Sequence, residues 1–175
     1  MIFSEKHKLI RKLVSDFAKK ELTNEVLDKV EETGIFPKSI LDKMADLGFY
    51  GVKIPRELGG QGGDNLAYVI MIEELARVSP VASLYANSQN SLSGGPILLS
   101  GTKEQLEKYL RPCVKGEIII AFALTEPDAG SDAGSINTIA IEDGDAYILN
   151  GRKTFITMAP IADYTIVYAK TDLSK

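Results

Sequence analysis

Residues 116–132 read GEIIIAFALTEPDAGSD, and the pattern of the sequence changes within this stretch. Before it, apolar residues recur at the i, i+3, i+4 spacing of amphipathic helices. After it, short β-favouring runs are separated by Asp143-Gly144 and Asn150-Gly151, dipeptides typical of tight hairpin turns. The sequence therefore predicts an α+β protein, with an all-α domain over residues 1–116 and an antiparallel β-domain over residues 117–175.

The N-terminal part predicts six helices joined by short connections, which is typical of a helical bundle. The first helix has Ser4 as a candidate N-cap, and its predicted apolar stripe consists of Leu9, Ile10, Leu13, Val14, Phe17 and Ala18. A single long apolar helix is predicted from Pro80 to about Ser100.

The C-terminal part predicts four or five strands, including Ile136–Ile141, Arg152–Thr157 and Tyr164–Ala169. The last of these is apolar on both faces and would leave an open sheet edge, which proteins normally cover. We therefore expect an incomplete β-domain that needs further polypeptide or a partner. The alternative is a sheet that closes against the helices of its own chain.

Composition and charge exclude several classes of protein. The net charge is −4 and the cations are scattered among acids, which argues against nucleic-acid binding. Cys113 and His7 are the single residues of their types, so we expect no disulfide and no metal site, and His7 is predicted at the surface. The sequence contains no apolar run of about 18 residues, which a membrane span would need, and no signal peptide is evident. We expect a cytoplasmic protein.

The segment AFALTEPDAGSD, residues 121–132, combines a strand with a loop of small residues. Small residues let a backbone approach an anion such as a pyrophosphate closely, although an ordinary strand-to-loop exit has the same composition. Glu126 and Asp128 are interpreted as acids that stabilise this loop.

Three stretches resemble acyl-CoA dehydrogenases. AFALTEPDAGSD is similar to the family signature aromatic-x-x-Thr-Glu-Pro-x-Ala-Gly-Ser-Asp, and LNGRKTFIT at 149–157 resembles its Asn-Gly-x-Lys-x-aromatic-Ile-Thr segment. Residues 36–63 and 68–78 look like the N-terminal helical domain of the family. The sequence departs from the usual pattern in having Phe155 for a frequent Trp, Asp128 for Gly and Phe122 for Tyr.

The resemblance implies FAD as the cofactor and gives roles to residues of both motifs. Phe122, Leu124 and Thr125 would contact the isoalloxazine ring, while Gly130 and Ser131 would meet the flavin phosphates. Ser131 would also touch the thioester substrate.

In the second motif the resemblance implies that Phe155 and Ile156 line the flavin. The Thr157 hydroxyl would point toward its N5 atom. Ser88 and Leu92 would be candidate walls of the acyl pocket, for which the alternative is ordinary helix core.

The resemblance also implies a reaction and partners. The family dehydrogenates acyl-CoA thioesters between Cα and Cβ, passes electrons to an electron-transfer flavoprotein and forms oligomers. Its base is a Glu on a C-terminal four-helix domain that has no counterpart in these 175 residues. We therefore expect no catalytic residue in this chain, no activity of this chain alone, and a homo-oligomer or a complementing C-terminal polypeptide. The alternative is a non-catalytic binding or dimerisation module.

Overall fold

The computed structural model describes residues 3–172, and the chain divides into two compact units, Met1–Ile119 and Ile120–Lys175. The first unit is helical and the second contains short strands, which confirms the predicted fold class of helices followed by a small sheet. No helix within residues 3–172 is long and apolar enough to cross a membrane.

The helices of the first unit are α1 (Glu5–Glu21), α2 (Asn24–Thr33), α3 (Lys38–Asp46), α4 (Asn65–Ala76), α5 (Pro80–Asn87), α6 (Gly94–Ser100), α7 (Lys103–Gln105) and α8 (Arg111–Val114). A 3₁₀ turn covers Arg56–Leu58, and π-helical segments cover Ser88–Ser93 and Leu106–Leu110. The main core lies among α1, α3, α4 and α5, where Met44, Met71 and Leu75 are fully buried and the Phe17 and Phe49 rings meet edge to face at 5.2 Å.

The starts of α1 and α4 are tied together by His7. Ser4 caps α1 in a reciprocal capping box with His7, as the sequence predicts for Ser4. The other ring nitrogen of His7 lies 3.1 Å from both carboxylate oxygens of Asp64, and Asp64 caps α4 by accepting from the Ala67 N–H at 2.8 Å. The predicted surface position of His7 is therefore wrong, because the side chain is buried between two helix starts.

The long helix predicted from Pro80 to about Ser100 is helical throughout, but α5 passes into α6 through the π-helical segment Ser88–Ser93. Most of the polar side chains of this segment are buried, and Asn90 is inaccessible to solvent. Asn90 donates to the carbonyls of Phe49 at 2.5 Å and Ala86 at 2.8 Å, and its own oxygen accepts from the Lys53 N–H at 3.4 Å. Hydrogen bonds of Asn90 thereby hold the loop at residues 49–53 against the long helix.

The second unit contains β1 (Ile120–Ala123), β2 (Ile139–Asp143), β3 (Ala146–Asn150) and β4 (Tyr164–Val167). β2 and β3 form an antiparallel hairpin in which Ile141 pairs with Ile148, and Gly144 has the positive φ of 61° that its turn requires. β1 and β4 pair in parallel, with Phe122 opposite Ile166.

Two details of the predicted β-domain are wrong. An antiparallel arrangement was expected throughout, but the chain makes a long crossover between β1 and β4 and so returns parallel to β1. The predicted strand Arg152–Thr157 is a loop, because Phe155 takes a left-handed conformation with φ of 55° that a strand cannot contain.

We predict that Asn90→Ala lowers the free energy of unfolding by about 1–3 kcal/mol, because two buried carbonyls and one N–H lose their partner. Chemical denaturation followed by circular dichroism measures this change. Lys19→Ala, at an exposed position on α1, should alter stability by no more than about 0.5 kcal/mol. Equal effects of the two substitutions would contradict the role given to Asn90.

Candidate functional site

The two sequence motifs of the second unit lie side by side. The Thr154 N–H donates to the Thr125 carbonyl at 3.0 Å. The Lys153 ammonium donates to the Leu124 carbonyl at 2.9 Å, across a sequence separation of 29 residues. The structure thus brings Leu124 and Thr125 next to the loop that carries Phe155, Ile156 and Thr157.

Glu126 is the point at which three segments of this unit meet. One carboxylate oxygen accepts from the Lys153 ammonium and from the Thr138 N–H, each at 2.8 Å. The other oxygen accepts from the Asn137 N–H at 2.5 Å. The interpretation of Glu126 as a loop-stabilising acid is confirmed. The same interpretation of Asp128, whose side chain is exposed, stays a prediction.

Lys153 and Asn137 were not among the residues singled out from the sequence. A lysine in Asn-Gly-x-Lys is indistinguishable from a surface lysine until its partner is known, and Glu126 lies far away along the chain. The Asn137 contact uses the main chain, so it leaves no signal in residue type.

The hydrogen bond from Lys153 is the largest cause that lowers the pKa of Glu126 to about 2. The N–H groups of Asn137 and Thr138 lower the pKa further, and burial opposes the shift. Glu126 is therefore an ionised structural acid at neutral pH and is unsuited to accept a proton from a substrate.

The loop after Glu126 closes in a tight turn. The Glu126 N–H donates to the Ala129 carbonyl at 2.9 Å, and the Ala129 N–H donates back to the Glu126 carbonyl at 3.2 Å. Gly130 and Ser131 follow immediately and are both exposed, and nothing lies within 4 Å of the position that a side chain at Gly130 would occupy. Their backbone is open to an approaching ligand.

Phe155 combines an exposed ring with a left-handed backbone conformation. It is 91% exposed, although its backbone is held in the left-handed region, which costs about 1–3 kcal/mol for a residue of this size. Ile156 is half-buried and Thr157 is exposed. An exposed aromatic ring on strained backbone indicates a surface kept for a binding partner.

The remaining predicted residues are less accessible. Phe122 is half-buried in β1 and its ring lies 5.1 Å from that of Tyr168, while Leu124 and Thr125 are also half-buried. Together with the Phe155 loop they combine apolar surface with hydroxyl groups, which is the chemistry that a planar heteroaromatic ring requires. The residues present therefore fit a flavin.

A cleft of about 280 Å³ lies beside Glu126, and its lining consists of Glu126, Pro127, Asp128, Asn137, Thr138, Gly151 and Arg152. None of the residues predicted to contact flavin lines it. A side chain at Gly151 would meet the Thr138 hydroxyl oxygen at 2.3 Å, so glycine is needed for the loop after β3 to approach Thr138. The described residues contain no cluster of three or more metal-ligating side chains.

The predicted acyl-pocket residues belong to the first unit. Ser88 is buried at the start of the π-helical segment, and its hydroxyl makes no hydrogen bond within the described part of the chain. Leu92, four residues on, is partly exposed.

Comparison with known proteins places the whole chain in one family. The family model for the N-terminal domain of acyl-CoA dehydrogenases matches residues 4–117, and the model for the middle domain matches residues 121–175. The chain is similar to the caffeyl-CoA reductase–Etf complex subunit CarC of Acetobacterium woodii, with 65% identity over 175 residues. It is 59% identical over 175 residues to 3-(aryl)acrylate reductase of Clostridium sporogenes.

Each of these two relatives is matched over 100% of this chain and 46% of its own length, so the chain spans about half the length of the curated relatives. Among solved structures, an acyl-CoA dehydrogenase from Bacillus anthracis complexed with FAD matches with a TM-score of 0.87 and 35% identity. That match covers 96% of this chain and 29% of the other.

We predict that Glu126→Gln lowers the free energy of unfolding at neutral pH and that this deficit shrinks as the pH falls. The pKa of Glu126 is lowered from 4.5 to about 2 on folding, so its charge stabilises the fold fully above pH 4.5 and progressively less toward pH 2. Urea denaturation across this range measures the difference between variant and wild type. Glu142→Gln, at an exposed hairpin position, is the matched control for the substitution itself. A deficit that is independent of pH would contradict the role of the charge.

Proposed function

Because this chain belongs to the acyl-CoA dehydrogenase family, we propose that it provides the helical domain and a flavin-facing part of an FAD-dependent oxidoreductase. The enzyme would act on the bond between Cα and Cβ of a CoA thioester. The observation that carries this proposal is the meeting of the Leu124–Thr125 and Lys153–Thr157 segments beside the exposed Phe155 ring. The FAD complex of the relative from Bacillus anthracis supports the choice of cofactor.

Bound FAD would supply the acceptor or donor of a hydride. Phe155, Ile156 and Leu124 would form an apolar wall that excludes water from the ring. The Thr125 and Thr157 hydroxyls would hold polar atoms of its edges, Thr157 near N5. These roles follow the family motifs, and the exposure of Phe155 and Thr157 supports them.

Gly130 and Ser131 would hold the flavin phosphates, since their exposed backbone follows a closed turn and is open to an anion. Ser131 would also contact the thioester. Ser88 and Leu92 would line the acyl pocket, which is supported by the buried hydroxyl of Ser88 within the π-helical segment. The proton at Cα would be handled by a residue outside these 175.

The names of the relatives support a specific substrate class and a specific direction of the reaction. Both curated relatives described above are named as reductases, one of caffeyl-CoA and one of aryl acrylates. We therefore propose that the enzyme reduces a 3-aryl-acrylyl-CoA thioester and that α,β-dehydrogenation of an acyl-CoA is the reverse reaction. The name of CarC includes an Etf complex, which supports an electron-transfer flavoprotein as the redox partner.

We propose an assembly and a cellular location from the exposed hairpin and the buried thiol. The hairpin side chains Ile141, Tyr147, Ile148 and Leu149 are each at least half exposed, which supports a covering polypeptide or a second copy of the protein. Cys113 is a free, buried thiol, which fits the cytoplasm. The alternative, a non-catalytic module of the same fold, predicts a protein without flavin.

We expect the protein expressed from its native gene to carry FAD. Anaerobic 3-phenylpropionyl-CoA should bleach the flavin absorbance, and cinnamoyl-CoA should restore it after chemical reduction. Stopped-flow absorbance compares the two rates, with butyryl-CoA and crotonyl-CoA as the matched saturated and unsaturated aliphatic pair. A flavin-free protein would support the non-catalytic module. Faster reaction with the aliphatic pair would overturn the aryl assignment while preserving the reaction type.

We further predict that Phe155→Asn and Thr157→Ala each weaken FAD binding by about 1–3 kcal/mol. Neither should lower the free energy of unfolding of the FAD-free protein by more than about 0.5 kcal/mol, because both residues are exposed and Asn tolerates a left-handed backbone. Titration calorimetry measures affinity and urea denaturation measures stability. Asp145→Ala, at an exposed position of the hairpin turn in the same unit, is the control for affinity. Unchanged FAD affinity in both variants would refute the assignment of the second motif.

A further inference from the structure

We propose that Lys153 is a positioning residue, which sets the relative placement of the two segments that would face FAD. This inference rests on the proposed function but concerns a residue to which the resemblance gives no role. The Lys153 side chain is largely removed from solvent, with 11% of it exposed. Its partner Glu126 is 5% exposed at the side chain.

The two bonds of Lys153 join groups of different kinds. The ammonium donates to a main-chain carbonyl at Leu124 and to a carboxylate at Glu126, on either side of Thr125. A lysine has three donors, so one side chain can hold both acceptors at once. The position of the Thr125 backbone is thereby fixed from both of its neighbours.

The same lysine begins the second segment. Thr154, the next residue, donates its N–H to the Thr125 carbonyl at 3.0 Å, so consecutive residues of one loop hold consecutive carbonyls of the other. Phe155 follows directly in its left-handed conformation. Any shift of Lys153 would be passed to Phe155, Ile156 and Thr157, and to Thr125 on the other side.

A structural role alone is the competing explanation. Removing one partner of a buried ion pair leaves an uncompensated charge and destabilises a protein, whether or not a ligand is bound nearby. The two explanations predict different FAD affinities for a variant in which neither charge remains. A variant that removes both charges should regain stability but would still leave the Leu124 carbonyl without its lysine donor.

Lys153→Met, Lys153→Arg and the double variant Glu126→Gln/Lys153→Met test this in the protein expressed from its native gene. For each variant the dissociation constant of FAD, the midpoint potential of the bound flavin and the thermal midpoint of the FAD-free protein are measured. We expect Lys153→Met to weaken FAD binding at least about tenfold and to shift the potential. Lys153→Arg keeps the charge and the donors, so its affinity should stay within about threefold of wild type.

The double variant is decisive. It should recover most of the thermal midpoint lost in Lys153→Met while its FAD affinity stays low. Recovery of affinity together with stability would overturn the positioning role and leave a purely structural ion pair. Wild-type affinity and potential in Lys153→Met would overturn it while leaving the proposed function standing. Absence of FAD from the wild-type protein would overturn both proposals.

Discussion

The buried ion pair between Glu126 and Lys153 is the interaction on which the second unit depends. Burying a carboxylate is costly unless it is paired and hydrogen-bonded, and Glu126 has a cation and two main-chain N–H groups. Asn137 and Thr138 belong to one stretch of the chain and Lys153 to another, so that with Glu126 itself three stretches meet. One acid therefore joins the loop after β1 to the approach to β2 and the loop after β3, two stretches that the β2–β3 ladder already brings together where Ile139 pairs with Asn150.

Features encoded by neighbouring residues were predictable from the sequence. The boundary between helices and strands follows from hydrophobic periodicity, and the capping role of Ser4 and the turn at Gly144 follow from the preferences of short segments. Features that depend on distant partners were not predictable. His7 has the spacing of a surface residue on its own helix, and only the packing of Asp64 against it explains its burial.

The β-domain shows the same division between local and distant information. Residues 152–157 have the composition of a strand, but Phe155 adopts positive φ and directs the chain into a loop. The residues proposed to face the flavin lie in two sequence motifs, and the family membership of the chain supports that assignment. The sequence did not indicate that Lys153 connects the motifs, because the pairing of a lysine with a glutamate 27 residues away cannot be read from residue types alone.

The π-helical segment at Ser88–Ser93 limits how this region of the chain can vary in length. A π-turn holds about one more residue than an α-turn, and each residue of an α-helix advances the side chains by about 100° around the axis. Loss of one residue here would restore regular winding and leave α6 close to its present orientation. A residue lost from α5, where the winding is α-helical, would instead rotate the side chains beyond it by about 100°, and Ile97 would leave its packing against the cluster of Ile54, Leu110 and Val114. The packing of α6 therefore constrains the number of residues in α5, while the buried hydrogen bonds of Asn90 constrain the side chains of the π-helical segment itself.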